Sequence, residues 1–280
     1  MRNIHTDEII EAVKDMCIQA NYNLSPDVCK AVKEARSTET GELGRHILTK
    51  LCENLEIAEN ERIPICQDTG MAVVFVKIGQ DVHIDGLDLG DAINEGVRRG
   101  YEEGYLRKSI VGDPIERVNT KDNTPAVIHY EIVPGNQLDL TVAPKGFGSE
   151  NMSRLYMLKP ADGIEGVKNA VLETVKLAGP NACPPIVVGV GIGGTFEKCA
   201  LLAKKALTRD LSIRSKIPYV KELEEELYTR INELNIGPAG LGGKITTLGV
   251  NVETYPTHIA GLPVAINICC HVNRHVHRTI

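Results

Sequence analysis

The sequence predicts a mixed α/β fold with a helical N-terminal segment, and three observations predict it. Apolar residues recur at helical spacing through roughly the first 60 positions. Short runs of aliphatic, largely β-branched residues follow, and between them helical periodicity returns several times. Helices and strands interspersed in this way belong to the α/β class. The expected organisation is an N-terminal helical segment, 1–60, and an α/β region, 61–280, together forming one unit.

The elements can be justified in order. From Thr6, the residues Ile9, Ile10, Val13, Met16, Cys17 and Ala20 keep helical spacing. Ser25-Pro26 supplies an N-cap and a proline for the first helical position, ahead of Val28, Ala31, Val32 and Ala35. A third helix carries Leu43, Ile47, Leu48, Leu51, Cys52 and Leu55. After Pro64 the pattern changes, and 71–78 (MAVVFVKI) reads as a strand. A helix is expected over 89–106, with Gly96, Gly100 and Gly104 on one face for close backbone packing. The segments 126–133 and 137–144 flank Pro134-Gly135-Asn136 and are expected to pair as an antiparallel hairpin. A glycine-rich loop, 145–151, comes next. Helices are then expected over 164–178, 195–208 and 219–234, and strands over 185–190, 245–252 and 262–268.

Composition excludes several functions. With 31 basic and 37 acidic residues the chain carries a formal charge of −6, which argues against a general nucleic-acid binder. No apolar run approaches the ~18–20 residues of a membrane span. The opening MRNIHTDEIIEAVKDM reads as an acidic amphipathic helix without the long apolar stretch of a signal peptide, so the expected location is the cytoplasm. Trp is absent and aromatics make up 4%, so the core must rest on aliphatics. Eight cysteines in a reducing compartment are buried apolar residues, metal ligands or reactive thiols rather than disulfides.

The cysteines sort by context. Cys17 and Cys52 fall on apolar helix faces, Cys29 beside one, and Cys199 within a helix; all four read as packing. Cys66 (Ile-Pro-Ile-Cys66-Gln67-Asp68-Thr-Gly70), Cys183 (Pro-Asn-Ala-Cys183-Pro-Pro) and Cys270 (Asn-Ile-Cys-Cys270-His271) lie in or beside irregular stretches, where ligands and catalytic groups sit. Their intervals are far too long for a zinc-finger or ferredoxin pattern, so spacing alone leaves a shared site open.

Other motifs lead elsewhere or nowhere. Gly189-Val-Gly191-Ile-Gly-Gly194 matches G-x-G-x-x-G between a strand and a helix, but the second strand with its acidic end, which a dinucleotide unit needs, is missing. A tight strand-to-helix turn is the plainer reading. The run Gly240–Thr246 has Ile245 where a P-loop needs Ser or Thr. His271, His275 and His277, interleaved with Arg274 and Arg278, read as a solvated or partner-contacting basic tail.

Five segments, PICQDTGMAVVFVKIGQDVHI, INEGVRRGYEEGYLRKSIVGDP, PKGFGSEN, GPNACPPIVVGVGIGGTFEKCA and TYPTHIAGLPVAINICCH, closely resemble the class I iron–sulfur fumarases and L-tartrate dehydratases. The likeness runs over essentially the whole chain. The resemblance implies that Cys66, Cys183 and Cys270 hold a [4Fe–4S] cluster, making 61–280 its binding region. Family members often carry Asn or Gln where this chain has Cys269; Cys270 keeps the place directly before His271. Three thiolates on four irons leave one iron open, and an open position marks a catalytic metal. By resemblance this iron is a Lewis acid for adding water to, or removing it from, a C4 dicarboxylate. Also by resemblance, Gln67, Arg107 and Gly148 contact substrate, and Asp68 and His258 are catalytic. Single-chain members carry a further C-terminal domain. The expectation is therefore an α subunit in a larger oligomer that needs a β subunit for activity.

Three functional readings stand at this point. The first is an α subunit of a fumarate/malate hydro-lyase, with L-tartrate as the same-class alternative. A non-catalytic iron–sulfur scaffold is the second, although it has no use for Asp68, Arg107 and His258. A Rossmann-type oxidoreductase is the third.

Overall fold

A computed structural model describes the whole chain, Met1–Ile280. Its elements confirm the mixed α/β class. In chain order they are β1 (Arg2–His5), α1 (Thr6–Tyr22), α2 (Pro26–Thr38), α3 (Glu42–Glu61), β2 (Met71–Gly79), β3 (Val82–Asp85) and α4 (Leu89–Glu103). Next come β4 (Val127–Val133), β5 (Leu138–Lys145), α5 (Phe147–Glu150), β6 (Arg154–Leu158), α6 (Gly163–Ala178) and β7 (Ile186–Gly193). The chain finishes with α7 (Phe196–Ala206), α8 (Pro218–Asn232), β8 (Thr247–Tyr255), β9 (Leu262–Cys269) and β10 (Val276–Thr279). None of the helices is long and apolar enough to cross a membrane.

The chain divides into two compact units. One comprises Met1–Ser25, Leu55–Phe147 and Arg274–Ile280; the other comprises Pro26–Asn54 and Gly148–Asn273.

In the first unit a four-stranded sheet has the order β10-β5-β2-β4. Strand β2 runs antiparallel to β5 and parallel to β4. The apolar stripes of α1 and α4 close a core with Val74, Val76, Leu138 and Leu140 from the sheet. Each such side chain taken from water contributes about 1.5–3 kcal/mol before entropy is counted. Helix α4 comes close enough to α1 for its glycines to matter: a Cβ on Gly96 would lie 2.7 Å from the Val13 Cβ.

Two expectations are corrected here. Segments β4 and β5 do not pair as a hairpin, because β2 lies between them. The Gly135 carbonyl accepts from the Asp81 N–H at 2.9 Å, so the 134–136 link bridges the end of β2. The reason was present in β2 itself. A strand with Val73, Val74 and Val76 all buried needs a neighbour on both sides, whereas β4, with its exposed Tyr130 and Ile132, tolerates an edge. The C-terminal residues, moreover, are not a solvated tail. Strand β10 pairs antiparallel with β5, and Ile280 exchanges main-chain hydrogen bonds with Leu138. Arg274, just before it, is only 4% exposed.

In the second unit the sheet order is β6-β9-β7-β8. Strand β7 shows the two-residue alternation of a three-layer arrangement. Val188 and Val190 face the core made with α6 and α8, including Val171, Val220 and Leu223. Gly189 and Gly191 face α7, where a Cβ would stand 2.2 Å from the Ala203 carbonyl oxygen and 2.1 Å from that of Cys199. The G-x-G-x-x-G string is thus a packing device that lets a helix lie directly on a strand.

A buried carboxylate braces this unit. Glu39 is 3% exposed and accepts from the N–H groups of Gly41 (2.8 Å), Lys244 (3.1 Å) and Ile245 (2.9 Å). Burial works to raise its pKa, but these donors, with Thr40, prevail and hold it below the usual carboxylate value. A depressed folded pKa means stability that is present above the unfolded pKa and lost as pH falls through the folded one. We therefore expect Glu39→Gln to lower the urea midpoint at pH 7 and to flatten the loss of stability on acidification below about pH 4.3. Identical acid dependence in the two proteins would contradict this account.

Candidate active site

The first unit carries Cys66, Gln67, Asp68 and Arg107, and the second carries Gly148, Cys183, His258 and Cys270. Neither unit by itself gathers three His, Cys, Asp or Glu side chains at metal-binding distance.

In the first unit, the loop from α3 into β2 is gripped along its main chain. Tyr101, fully buried on α4, donates its hydroxyl to the carbonyls of Thr69 (2.8 Å) and Gly70 (3.0 Å). Burial pushes this phenol's pKa far up, so it remains a donor. The Asn123 amide adds a bond to the Gly70 carbonyl at 3.2 Å while its oxygen accepts from Ser109 N–H at 2.7 Å. Gly70 has φ +78° and lies so close to β5 that a Cβ would stand 2.8 Å from Lys145 main-chain atoms, so only glycine fits.

This grip orients Asp68. One carboxylate oxygen accepts from Gly70 N–H at 3.0 Å, and the other accepts from Phe147 N–H at 2.9 Å. The β2–β5 register, with Met71 opposite Lys145, brings the 146–147 turn to it. Cys66 and Gln67 precede it, half-buried and exposed, with the thiol donating to Gln67 Oε1 at 3.4 Å. Arg107 joins the same loop through its main chain, its carbonyl accepting from Thr69 Oγ1 at 3.1 Å, and its side chain is exposed.

The second unit assembles Cys183 and Cys270. Strand β7 begins three residues after Cys183, and β9 ends one residue before Cys270. These neighbouring antiparallel strands pair Val187 with Cys269, so both thiols emerge at the same end of the sheet. His271 Nδ1 donates to the Cys183 carbonyl at 3.1 Å and ties the two segments together. Cys183 is exposed and has φ +52°, a left-handed conformation unfavourable for a residue with a Cβ. Such strain persists where the surroundings impose it and clusters at functional sites. Here the Pro184 carbonyl accepts from Ala239 N–H at 2.8 Å, and Pro180 packs on Gly240, just upstream of the segment that Glu39 anchors.

His258 is exposed in the loop between β8 and β9. Its Nδ1 accepts from Ala260 N–H at 3.2 Å, so the neutral ring carries its proton on Nε2, where it can donate to a ligand. Gly148 is also exposed.

The remaining cysteines differ in kind. Cys17, Cys52, Cys199 and Cys269 are buried, and burial pushes the Cys17 thiol up to about 12 and raises that of Cys199. Cys29 is half-buried in the first turn of α2. No cysteine is in a disulfide. Cys66 and Cys270 are half-buried and Cys183 is exposed, all outside helices and strands, so each of these thiols can be reached by a metal.

Sequence reasoning missed Arg274. Its Nε donates to the Pro144 carbonyl at 3.2 Å and its Nη2 to the Asp68 carbonyl. The motif His271–Arg278 is rich in basic residues, and only the unforeseen strand β10 brings Arg274 into the interior. Tyr101 was overlooked too, although a tyrosine on the apolar face of a helix signals a buried hydroxyl in need of an acceptor.

Comparison with known proteins identifies the family. The model of the fumarate hydratase (Fumerase) family matches residues 10–279. A Methanocaldococcus jannaschii protein, provisionally named L(+)-tartrate dehydratase subunit alpha, is 43% identical over 273 residues, covering 95% of each chain. The L(+)-tartrate dehydratase subunit alpha of Escherichia coli strain UTI89 is 32% identical over 272 residues, covering 96% of this chain and 89% of its own. That of strain K12 is 31% identical over the same length. The chain belongs to the fumarate hydratase (Fumerase) family, the class I type of hydro-lyase.

Proposed function

We propose that the chain is the α subunit of a cytoplasmic iron–sulfur hydro-lyase that reversibly hydrates fumarate to malate. The observation that carries this reading is the division of the cysteines within a chain of this family. Three stand accessible outside the helices and strands, next to polar residues held in fixed orientation, while four of the others are buried and Cys29 lies within α2. Cys66, Cys183 and Cys270 would hold a [4Fe–4S] cluster. Its burial and its place inside β9 favour packing for Cys269, while Cys270 lies just past the strand.

When bound, the cluster supplies a Lewis-acidic iron that polarises the substrate's C–O bond. The protein's own residues do the rest. Arg107 offers a fork of donors to a substrate carboxylate, and Gln67 offers an amide beside it. The Asp68 carboxylate, held by two main-chain N–H groups, moves the proton at the carbon next to the hydroxyl-bearing one. His258 donates from Nε2 to a substrate oxygen, and the exposed Gly148 allows the backbone to approach substrate closely. These roles need a partner. The alpha-subunit names of the relatives support a β subunit that completes the site within a larger oligomer.

L-tartrate is the second reading, favoured by the names of those same relatives. Co-expression with the β subunit, anaerobic reconstitution and assay of malate against L-tartrate test the proposal. The expected result is a brown complex whose kcat/KM for malate exceeds that for tartrate at least about tenfold, a difference of about 1.4 kcal/mol in transition-state binding. The reverse preference would establish the tartrate reading. A complex that is colourless after reconstitution would overturn both.

A further inference from the structure

We propose that Arg274 is the positioning residue for the Asp68 carboxylate, clamping the loop before β2 to the end of β5 so that both oxygens of Asp68 keep one orientation. The proposal rests on the reading of Asp68 as the proton-transfer group.

Three successive carbonyls of this loop are each held by a buried side chain. Those of Thr69 and Gly70 accept from Tyr101, and that of Asp68 accepts from Arg274 Nη2. The same guanidinium uses Nε for the Pro144 carbonyl, one residue from the end of β5. A guanidinium is a rigid planar fork, so two bonds from one edge fix the separation and tilt of the two carbonyls. The loop and the strand end are thereby locked to each other. That lock governs the side chain, because the two donors that orient the Asp68 carboxylate come one from each side. Gly70 N–H belongs to the loop, and Phe147 N–H lies three residues beyond Pro144. A slide of one segment along the other would stretch and weaken one of these bonds.

The surroundings leave little slack. A methyl on Gly146 would stand 3.0 Å from Asp68 Oδ2, and Arg274 Nη2 lies 3.8 Å from the same point. Nη1 of Arg274 is buried and meets no protein acceptor. A buried donor without a partner destabilises the fold, so an apolar filler would serve packing alone at lower cost. What the arginine adds is the double clamp.

Arg274→Lys keeps the charge but cannot reproduce the fork. In the reconstituted αβ complex, we expect kcat to fall at least about tenfold with KM within about twofold. Cluster absorbance should be unchanged. Hydrogen exchange at the Gly70 and Phe147 amides should accelerate at least about tenfold, while amides elsewhere in the sheet keep their rates. Unchanged kcat or unchanged exchange in a folded variant would overturn the proposal, as would a rise in KM alone. Should the variant fail to fold, exchange in the wild-type complex decides: a protected Phe147 amide supports the clamp, and one exchanging at the open-chain rate refutes it. A wild-type complex that turns over no C4 dicarboxylate defeats the functional reading instead, and the exchange data still test the positioning.

Discussion

Replacing Cys66, Cys183 or Cys270 by Ser in the reconstituted αβ complex is expected to abolish the brown colour and lower turnover by about a thousandfold or more. A Lewis-acid metal contributes several kcal/mol of transition-state stabilisation, and each 1.36 kcal/mol is a factor of ten. Serine is nearly isosteric with cysteine but a far poorer ligand for iron, so the effect should be on the cluster rather than the fold. The thermal midpoint of the metal-free protein should therefore change little. Cys269→Ser is the internal control. Its thiol is 3% exposed within β9 and lies 4.0 Å from the Val272 carbonyl, so the variant should lose some stability and keep its iron. Iron analysis and visible absorption, read for all four variants side by side, decide the ligand set. Loss of iron in Cys269→Ser together with its retention in Cys270→Ser would reverse the assignment of the third ligand.

Asp68→Asn is expected to lower kcat by about 10²–10⁴, the range that a positioned proton-transfer group supplies. Two effects combine. The amide cannot accept a proton, and it cannot satisfy both main-chain donors at once. In the native loop Gly70 N–H and Phe147 N–H each bond to a different carboxylate oxygen. Asparagine has one oxygen, so its NH₂ group must face one of those donors. The side chain will turn away, or the loop will yield. A stability loss of about 1–3 kcal/mol should accompany the kinetic loss, because a donor is left unsatisfied. Cluster content is the control that separates chemistry from damage to the neighbouring Cys66. If kcat is unchanged at equal iron content, Asp68 is not the proton-transfer group.

The legibility of this chain from its sequence was uneven, for physical reasons. Helices with strong periodicity and clear caps were readable to within a few residues. The run from Ser25-Pro26 does begin α2 at Pro26, and the aliphatic string at Met71 does form β2. Pairing was less legible. The partners of β4 and β5 depend on β2, which lies some fifty residues earlier, and local turn chemistry at 134–136 carries no information about it. Short strands were lost for a related reason. The four-residue β1, β3 and β10 exist because a neighbour offers an edge, not because four residues have much preference of their own.

The candidate site divides along the same line. Cys66, Cys183 and Cys270 could be marked as unlike the other cysteines from their irregular surroundings alone. The common purpose proposed for them came only from resemblance, since their intervals match no local ligand pattern. The order around them was invisible: the Tyr101 hydroxyl, the Arg274 fork and the Glu39 carboxylate all act on main-chain groups distant in sequence. A basic C-terminal stretch looks solvated until a strand pairs there and draws one arginine into the interior.

Iron spectroscopy tests the central claim most directly. Mössbauer spectra of the ⁵⁷Fe-reconstituted αβ complex, recorded with and without malate, should show a [4Fe–4S] cluster with one iron whose quadrupole splitting changes when malate binds. Absence of a cluster after anaerobic reconstitution, or a cluster in which no iron responds to malate at saturating concentration, would contradict the account.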